Sequence, residues 1–162
     1  METNEPLTTF DIKILDWLQK DASMSTSELA EKIGLSQSPC WRRVQRLKDE
    51  GYIKRQVAIL DREKFGPSLT VFTYLKMSTL TDDKRAEFLR KVDAIPEILE
   101  CYSLFGERDI MLKVVASGLD WYHKFIFSTL LKLPGVLDAQ STVSLTELKN
   151  STAIPLNGLR PA

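Results

Sequence analysis

The stretch LSQSPCWRRVQRLKDEGYIKR, residues 35–55, sets a tryptophan between a Ser-Pro-Cys start and a run of basic residues. At 100° per residue, Cys40, Val44 and Leu47 fall within about 60° of one another, which predicts a helix with an apolar inner stripe. Ser38, Arg42, Gln45 and Arg46 take the opposite side, with Trp41 and Lys48 on one flank and Arg43 on the other. Ser36 stands where a helix cap is expected, and Pro39 falls in the first turn, where a missing N–H costs little. Gly51 ends the helix. Beyond it IKRQVAIL (53–60) alternates like a strand, as the wing of a winged helix-turn-helix would.

Working outward towards the N-terminus, two shorter helices precede this one. Thr8 or Thr9 can cap a helix bearing Phe10, Ile14, Leu15 and Leu18 on one face, ending near residues 21–23. Ser25 followed three residues later by Glu28 has the form of a capping box for a second helix, with Leu29, Ala30 and Ile33 as its apolar side. Gly34 then fits a left-handed turn. Two helices joined by a tight turn, the second polar and basic outside, form the geometry that enters a DNA major groove.

Charge distribution points the same way. The formal net charge is zero, which argues against a protein that coats nucleic acid generally. Between Gln37 and Gln56, however, six basic residues face two acidic ones. Arginine can bind guanine O6 and N7 bidentately, and glutamine adenine N6 and N7. The expected DNA contacts are Ser36, Ser38, Trp41, Arg42, Gln45 and Arg46 on the helix, with Lys54 and Arg55 on the wing. For Arg43, beside the apolar stripe, an internal ion pair and a phosphate contact are both open.

The pattern changes after the polar stretch DREKFGPS (61–68). Strand-like LTVFTYLKMS (69–78) is followed by a helix over 82–95, strands over 97–105 and 110–117, a helix over 119–133 and a strand over 136–149. This βαββαβ order predicts a ferredoxin-like unit, an antiparallel sheet with helices on one face. The fold class is therefore α+β: a winged helix-turn-helix over 1–60, a linker over 61–68 and a ferredoxin-like domain over 69–162. Phe72, Tyr74 and Val115 fall out of phase with the inner face, so a dimer through the sheets is expected.

One loop in the second half offers a site. CYSLFGERDI (101–110) is either an ordinary hairpin connection or a small-ligand pocket. In the second case N–H groups around Gly106 would take a carboxylate and Asp109 an ammonium group, the two charges of an α-amino acid. Tyr102, Leu104 and Glu107 complete the candidate pocket. Other chemistry finds no support. His123 is the single histidine and is expected to be structural; the distant Cys40 and Cys101 give neither a disulfide framework nor metal-site spacing. No phosphate loop, nucleophile elbow or catalytic constellation is present, so an enzyme is not expected. Asp82 and Asp83 read as capping charges, and Trp121, Tyr122 and Phe125 as core or dimer contacts. The opening ETNEPLTT lacks the basic and apolar regions of a signal peptide, and apolar runs are too short to span a membrane. Reduced cysteines and a cytoplasmic location are expected.

The chain as a whole resembles the Lrp/AsnC (leucine-responsive, feast/famine) family of bacterial and archaeal regulators. The resemblance rests on FDIKILDWLQKDASMSTSELAEKIGLSQSPCWRRVQRLKDEGYIKRQVAILDREKFG, on PEILECYSLFGERDIMLKVVASGLDWYHKFIFSTLLKLPGV and on the tail STVSLTELKNSTAIPL. It implies sequence-specific binding to double-stranded DNA and a second domain that senses a free amino acid and drives assembly, with no further cofactor. Members form homodimers that associate further, often into octamers built as a tetramer of dimers. The family's G-x-x-D effector loop corresponds to Gly106 and Asp109; where it commonly has an aromatic residue after the aspartate, this chain has Ile110. The alternative within the same fold is a ligand-independent architectural DNA-binding protein.

Overall fold

The computed structural model describes residues 6–156 and divides into two units. The first holds residues 6–59 together with 149–156; the second holds 60–148.

The helical unit contains α1 (Thr9–Leu18), α2 (Thr26–Ile33) and α3 (Gln37–Asp49). The caps expected for α1 and α2 form. Thr8 accepts from the Asp11 N–H while the Asp11 carboxylate accepts from the Thr8 N–H, and Ser25 and Glu28 repeat the exchange at α2. Each box satisfies donors that a helix start otherwise leaves unpaired. Gly34 closes α2 at φ 76°, and Gly51 follows α3 at φ 77°, both left-handed conformations that cost glycine little. Ile14, Leu29, Ala30, Ile33, Cys40, Val44 and Leu47 form the core, so the inner stripe of α3 is where its periodicity put it. Phe10 departs from expectation: it is exposed at the surface, with the Arg43 guanidinium 5.8 Å from its ring centroid.

The expected wing strand is not formed. Residues 54–60 carry no regular secondary structure, and Val57, Ile59 and Leu60 are exposed. Alternation alone makes no strand, because an extended segment needs a neighbour for its N–H and C=O groups.

In the second unit a short 3₁₀ turn (Arg62–Phe65) leads into β1 (Leu69–Met77), α4 (Asp82–Asp93), β2 (Ile98–Ser103), β3 (Ile110–Ala116), α5 (Leu119–Ser128) and β4 (Val136–Val143). The sheet order is β2-β3-β1-β4 and every neighbouring pair is antiparallel, the ferredoxin-like arrangement. Val71, Leu75, Leu112 and Val114 bury one face under Phe88 and Val92 of α4 and Tyr122 and Phe125 of α5. Thr73, fully buried on that face, is hydrogen-bonded to the Tyr122 hydroxyl, which also bonds Ser141 at 2.7 Å. A polar residue inside the sheet is thereby satisfied. Trp121 stacks on Phe125 at 4.8 Å.

Two elements are shorter than their sequence pattern. α5 ends at Ser128 and a separate 3₁₀ turn follows over Leu130–Lys132. β4 ends at Val143, although alternation continues to residue 149. Residues 149–156 belong instead with the helical unit, where the Gln19 side chain donates to the Ile154 carbonyl and accepts from the Ile154 N–H, both at 2.9 Å.

Candidate DNA interface and effector loop

α3 is held from within by its apolar stripe, which leaves its other side to solvent. Ser36, Ser38, Trp41, Arg42 and Lys48 are exposed, Gln45 is partly exposed, and Lys54 and Arg55 beyond the helix are exposed. Trp41 shows 53% of its surface, much for an indole with no covering neighbour. Ser36 occupies the N-cap position, yet its side chain makes no cap hydrogen bond. α1 and α2 satisfy their first turns with their own side chains; α3 does not.

Arg43 and Arg46 turn the other way. Asp11, in the first turn of α1, is completely buried. Its Oδ1 accepts from Arg43 Nη1 at 3.0 Å, and its Oδ2 from Arg46 Nη2 at 2.7 Å, the Thr8 N–H at 2.8 Å and the Thr8 hydroxyl at 2.6 Å. Burial by itself would raise the Asp11 pKa, but the two Thr8 hydrogen bonds and the two guanidinium groups outweigh it and lower the pKa below its ordinary value. Arg43 therefore makes the internal ion pair that its position allowed. Arg46, expected on the outer side, is also engaged internally, with Glu50 Oε1 4.0 Å away as well. Geometry explains the difference: on a helical wheel Arg46 lies about 40° from Arg42 and about 60° from Arg43, within reach of either side. The buried carboxylate decides the direction.

Asp11 was not recognised as a site residue from the sequence. A signal was there. It stands three residues after Thr8 and three before the buried Ile14, an acid on the apolar stripe. A buried acid requires cationic or hydrogen-bonding partners.

In the second unit the candidate pocket residues gather around one loop. Asp109 Oδ2 accepts from the Met77 N–H at 2.7 Å, and its Oδ1 from Lys76 Nζ at 3.2 Å. The Met77 hydrogen bond outweighs the opposing effect of burial and, with help from the Lys76 contact, holds the Asp109 pKa below its ordinary value. A register shift between Lys76 and Met77 in the β1–β4 pairing coincides with this contact. Lys76 also donates to the Glu107 carbonyl at 3.0 Å, and the Leu104 N–H donates to the Asp109 carbonyl at 2.8 Å. Arg108 pairs with Asp138 at 2.6 Å and Gln140 at 3.2 Å. Tyr102 and Leu104 are exposed, and the Tyr102 hydroxyl donates to Glu100 at 3.1 Å.

Among the described residues no group of His, Cys, Asp and Glu could hold a metal ion, and no helix is long and apolar enough to cross a membrane. Burial pushes the thiols of Cys40 and Cys101 up.

Residues 7–54 match the family model for a winged helix-turn-helix DNA-binding domain, and residues 70–154 the model for the Lrp/AsnC ligand binding domain. The chain belongs to the Lrp/AsnC family. It is 39% identical over 150 residues to the glutamate uptake regulatory protein of Zymomonas mobilis, covering 93% of this chain and 91% of that one. It is 36% identical over 148 residues to the leucine-responsive regulatory protein of Salmonella typhimurium, covering 91% and 90%. A transcriptional regulator from Neisseria meningitidis, solved as an L-Met complex, superposes with a TM-score of 0.88 at 37% identity, covering 93% and 97%. As an Lrp/AsnC protein the chain is a DNA-binding transcriptional regulator with a ligand-binding domain, not an enzyme.

Proposed function

We propose that this regulator reads DNA with Ser38, Trp41, Arg42 and Gln45 of α3, with Ser36, Lys54 and Arg55 on flanking backbone. The observation that carries the reading is the sorting of side chains on α3. Trp41 and Arg42 face solvent, while Arg43 and Arg46 are bound to Asp11. Arg42 and Gln45 are of the types that recognise guanine and adenine edges. The uncapped start of α3 supports a phosphate position at Ser36 and Ser38, since first-turn N–H groups favour an anion. Arg42→Ala and Gln45→Ala relax base preference, each by the roughly 1–3 kcal/mol of a bidentate contact. Lys54→Ala weakens binding to all sequences evenly and lowers the salt slope by about 0.9. Binding-site selection with each variant tests this; unchanged base preference in the first two removes them from the reading face.

The loop over 102–109 is the proposed effector site. Asp109 takes the ammonium group of a free amino acid, N–H groups around Gly106 its carboxylate, and Tyr102, Leu104 and Glu107 border it. The resemblance to the L-Met-bound Neisseria regulator supports an amino acid at this domain. Because Lys76 holds Asp109 Oδ1, effector binding is an exchange of one cation for another. Calorimetry of the full chain against single amino acids tests the site; heat with none of them leaves the ligand-independent, architectural reading.

The chain works in the cytoplasm as a homodimer that assembles to an octamer on this reading. Half-buried Phe72, Tyr74 and Val115 on the open sheet face and the exposed Val57, Ile59 and Leu60 support self-association. Linked dimers place several α3 helices on one DNA, raising affinity without new contacts. Domain roles follow the division 1–60, 61–68 and 69–162, with the final segment returning to the helical unit.

A further inference from the structure

We infer that Asp11 is a positioning residue for DNA recognition: it withholds Arg43 and Arg46 from the phosphate backbone and fixes α3 against the start of α1. The inference rests on the reading that the outer side of α3 meets DNA. It concerns which of the basic residues of that helix take part.

The charges balance locally. Arg43 and Arg46 carry two positive charges, and Asp11 with Glu50 two negative ones, so half of the four basic residues of α3 are neutralised within the unit. Asp11 is fully buried, whereas its partners keep a third or less of their side-chain surface. A phosphate that drew either arginine outward would leave a desolvated carboxylate short of a cation, which opposes the exchange. Thr8 reinforces the arrangement by donating to Asp11 Oδ2 and accepting from Arg43 Nη1 at 3.1 Å. The Phe10 ring lies beside the same guanidinium. One carboxylate thus caps α1 and clamps two successive turns of α3. The angle at which Arg42 and Gln45 project is set from α1.

The consequence for binding is a separation of two quantities. Sequence-independent attraction depends on how many cations release counterions from DNA, and specificity on how base-reading side chains are oriented. Asp11 limits the first and secures the second. Asp11→Asn keeps the shape and the capping ability while removing the charge. It releases both guanidinium groups from Asp11, while Glu50 still faces Arg46, so one positive charge becomes available to phosphate.

The test is the salt dependence of binding of the full chain to one selected site and to unrelated DNA. For Asp11→Asn the slope of log K against log salt steepens by about 0.9 per bound α3, for the one positive charge that Glu50 does not balance. Between about 50 and 200 mM salt this makes affinity fall roughly 3.5-fold further than in wild type, and the ratio of specific to unrelated binding drops. Arg43→Met and Arg46→Met retain the wild-type slope, with a lower melting temperature. A wild-type slope in folded Asp11→Asn overturns the inference. A slope shallower by about 0.9 in either arginine variant overturns it too, by showing a phosphate contact. Should Asp11→Asn fail to fold, the two arginine variants decide alone. Arg42→Ala and Lys54→Ala separate the levels: if neither alters DNA binding, the outer face of α3 is not the interface.

Discussion

Asp11 and Asp109 are similar in chemistry and opposite in setting. Both are carboxylates that accept a backbone N–H, both pair with cations, and both are more acidic than usual. Asp11 has no exposed surface and two arginine partners; Asp109 keeps 36% of its side chain exposed and has a single lysine at 3.2 Å. Buried and saturated, the first is a fixed part of the scaffold. The second sits in water with a partner that can be replaced, as a ligand-exchange site requires. Burial, more than the identity of the acid, separates a structural clamp from a group proposed to bind a ligand.

The comparison breaks most visibly at Asp11. Asp11→Ala removes the carboxylate half of the α1 capping box and leaves two arginines facing the space of a lost carboxylate, costing about 2–4 kcal/mol. Chemical denaturation measures this; a loss below about 0.5 kcal/mol, the scale of an ordinary surface change, contradicts the clamp. Acid gives the next test. The folded-state pKa of Asp11 lies below its ordinary 3.8, so its contribution is fully present above that value and is lost as pH falls through the lower, folded value. Unfolding free energies of wild type and Asp11→Asn therefore converge only at the acid end of a titration. A gap that closed nearer neutral pH would belong to another group.

Asp109 is expected to behave differently under the same treatment. Asp109→Asn leaves the thermal midpoint within error and weakens amino-acid binding at least tenfold, the scale of a charge-assisted hydrogen bond. Calorimetry and a melt on the same sample check both halves. Lys76→Met removes the internal competitor and tightens amino-acid binding by about two- to fivefold, the range of an exposed ion pair. Weaker binding in this variant would instead make Lys76 a ligand contact.

Much of the scaffold was legible from residue patterns. Thr8, Ser25 with Glu28, Gly34 and the stripe Cys40, Val44 and Leu47 each obey a local rule, and the structure satisfies each locally. The βαββαβ order followed from a change of period along the chain. What failed depended on distant partners. IKRQVAIL alternates, but residues 54–60 pair with no strand among the described residues. Residues 144–149 alternate also, and β4 nevertheless ends at Val143. Arg46 lies within reach of two sides of its helix, and only a carboxylate 35 positions earlier settles which. The exposure of Trp41 and Arg42 was legible; the sorting among four neighbouring cations was not.

The reciprocal pair between Gln19 and Ile154 has a consequence for how the protein is made. The amide side chain of Gln19, the C-cap residue of α1, offers the backbone at Ile154 a donor and an acceptor, and that backbone leaves the ribosome after every strand of the sheet. The DNA-binding helices are thus synthesised before the sheet, yet their contact with Ile154 waits until the sheet has been made. A nascent chain stalled before residue 149 carries the three helices without the segment that completes their unit.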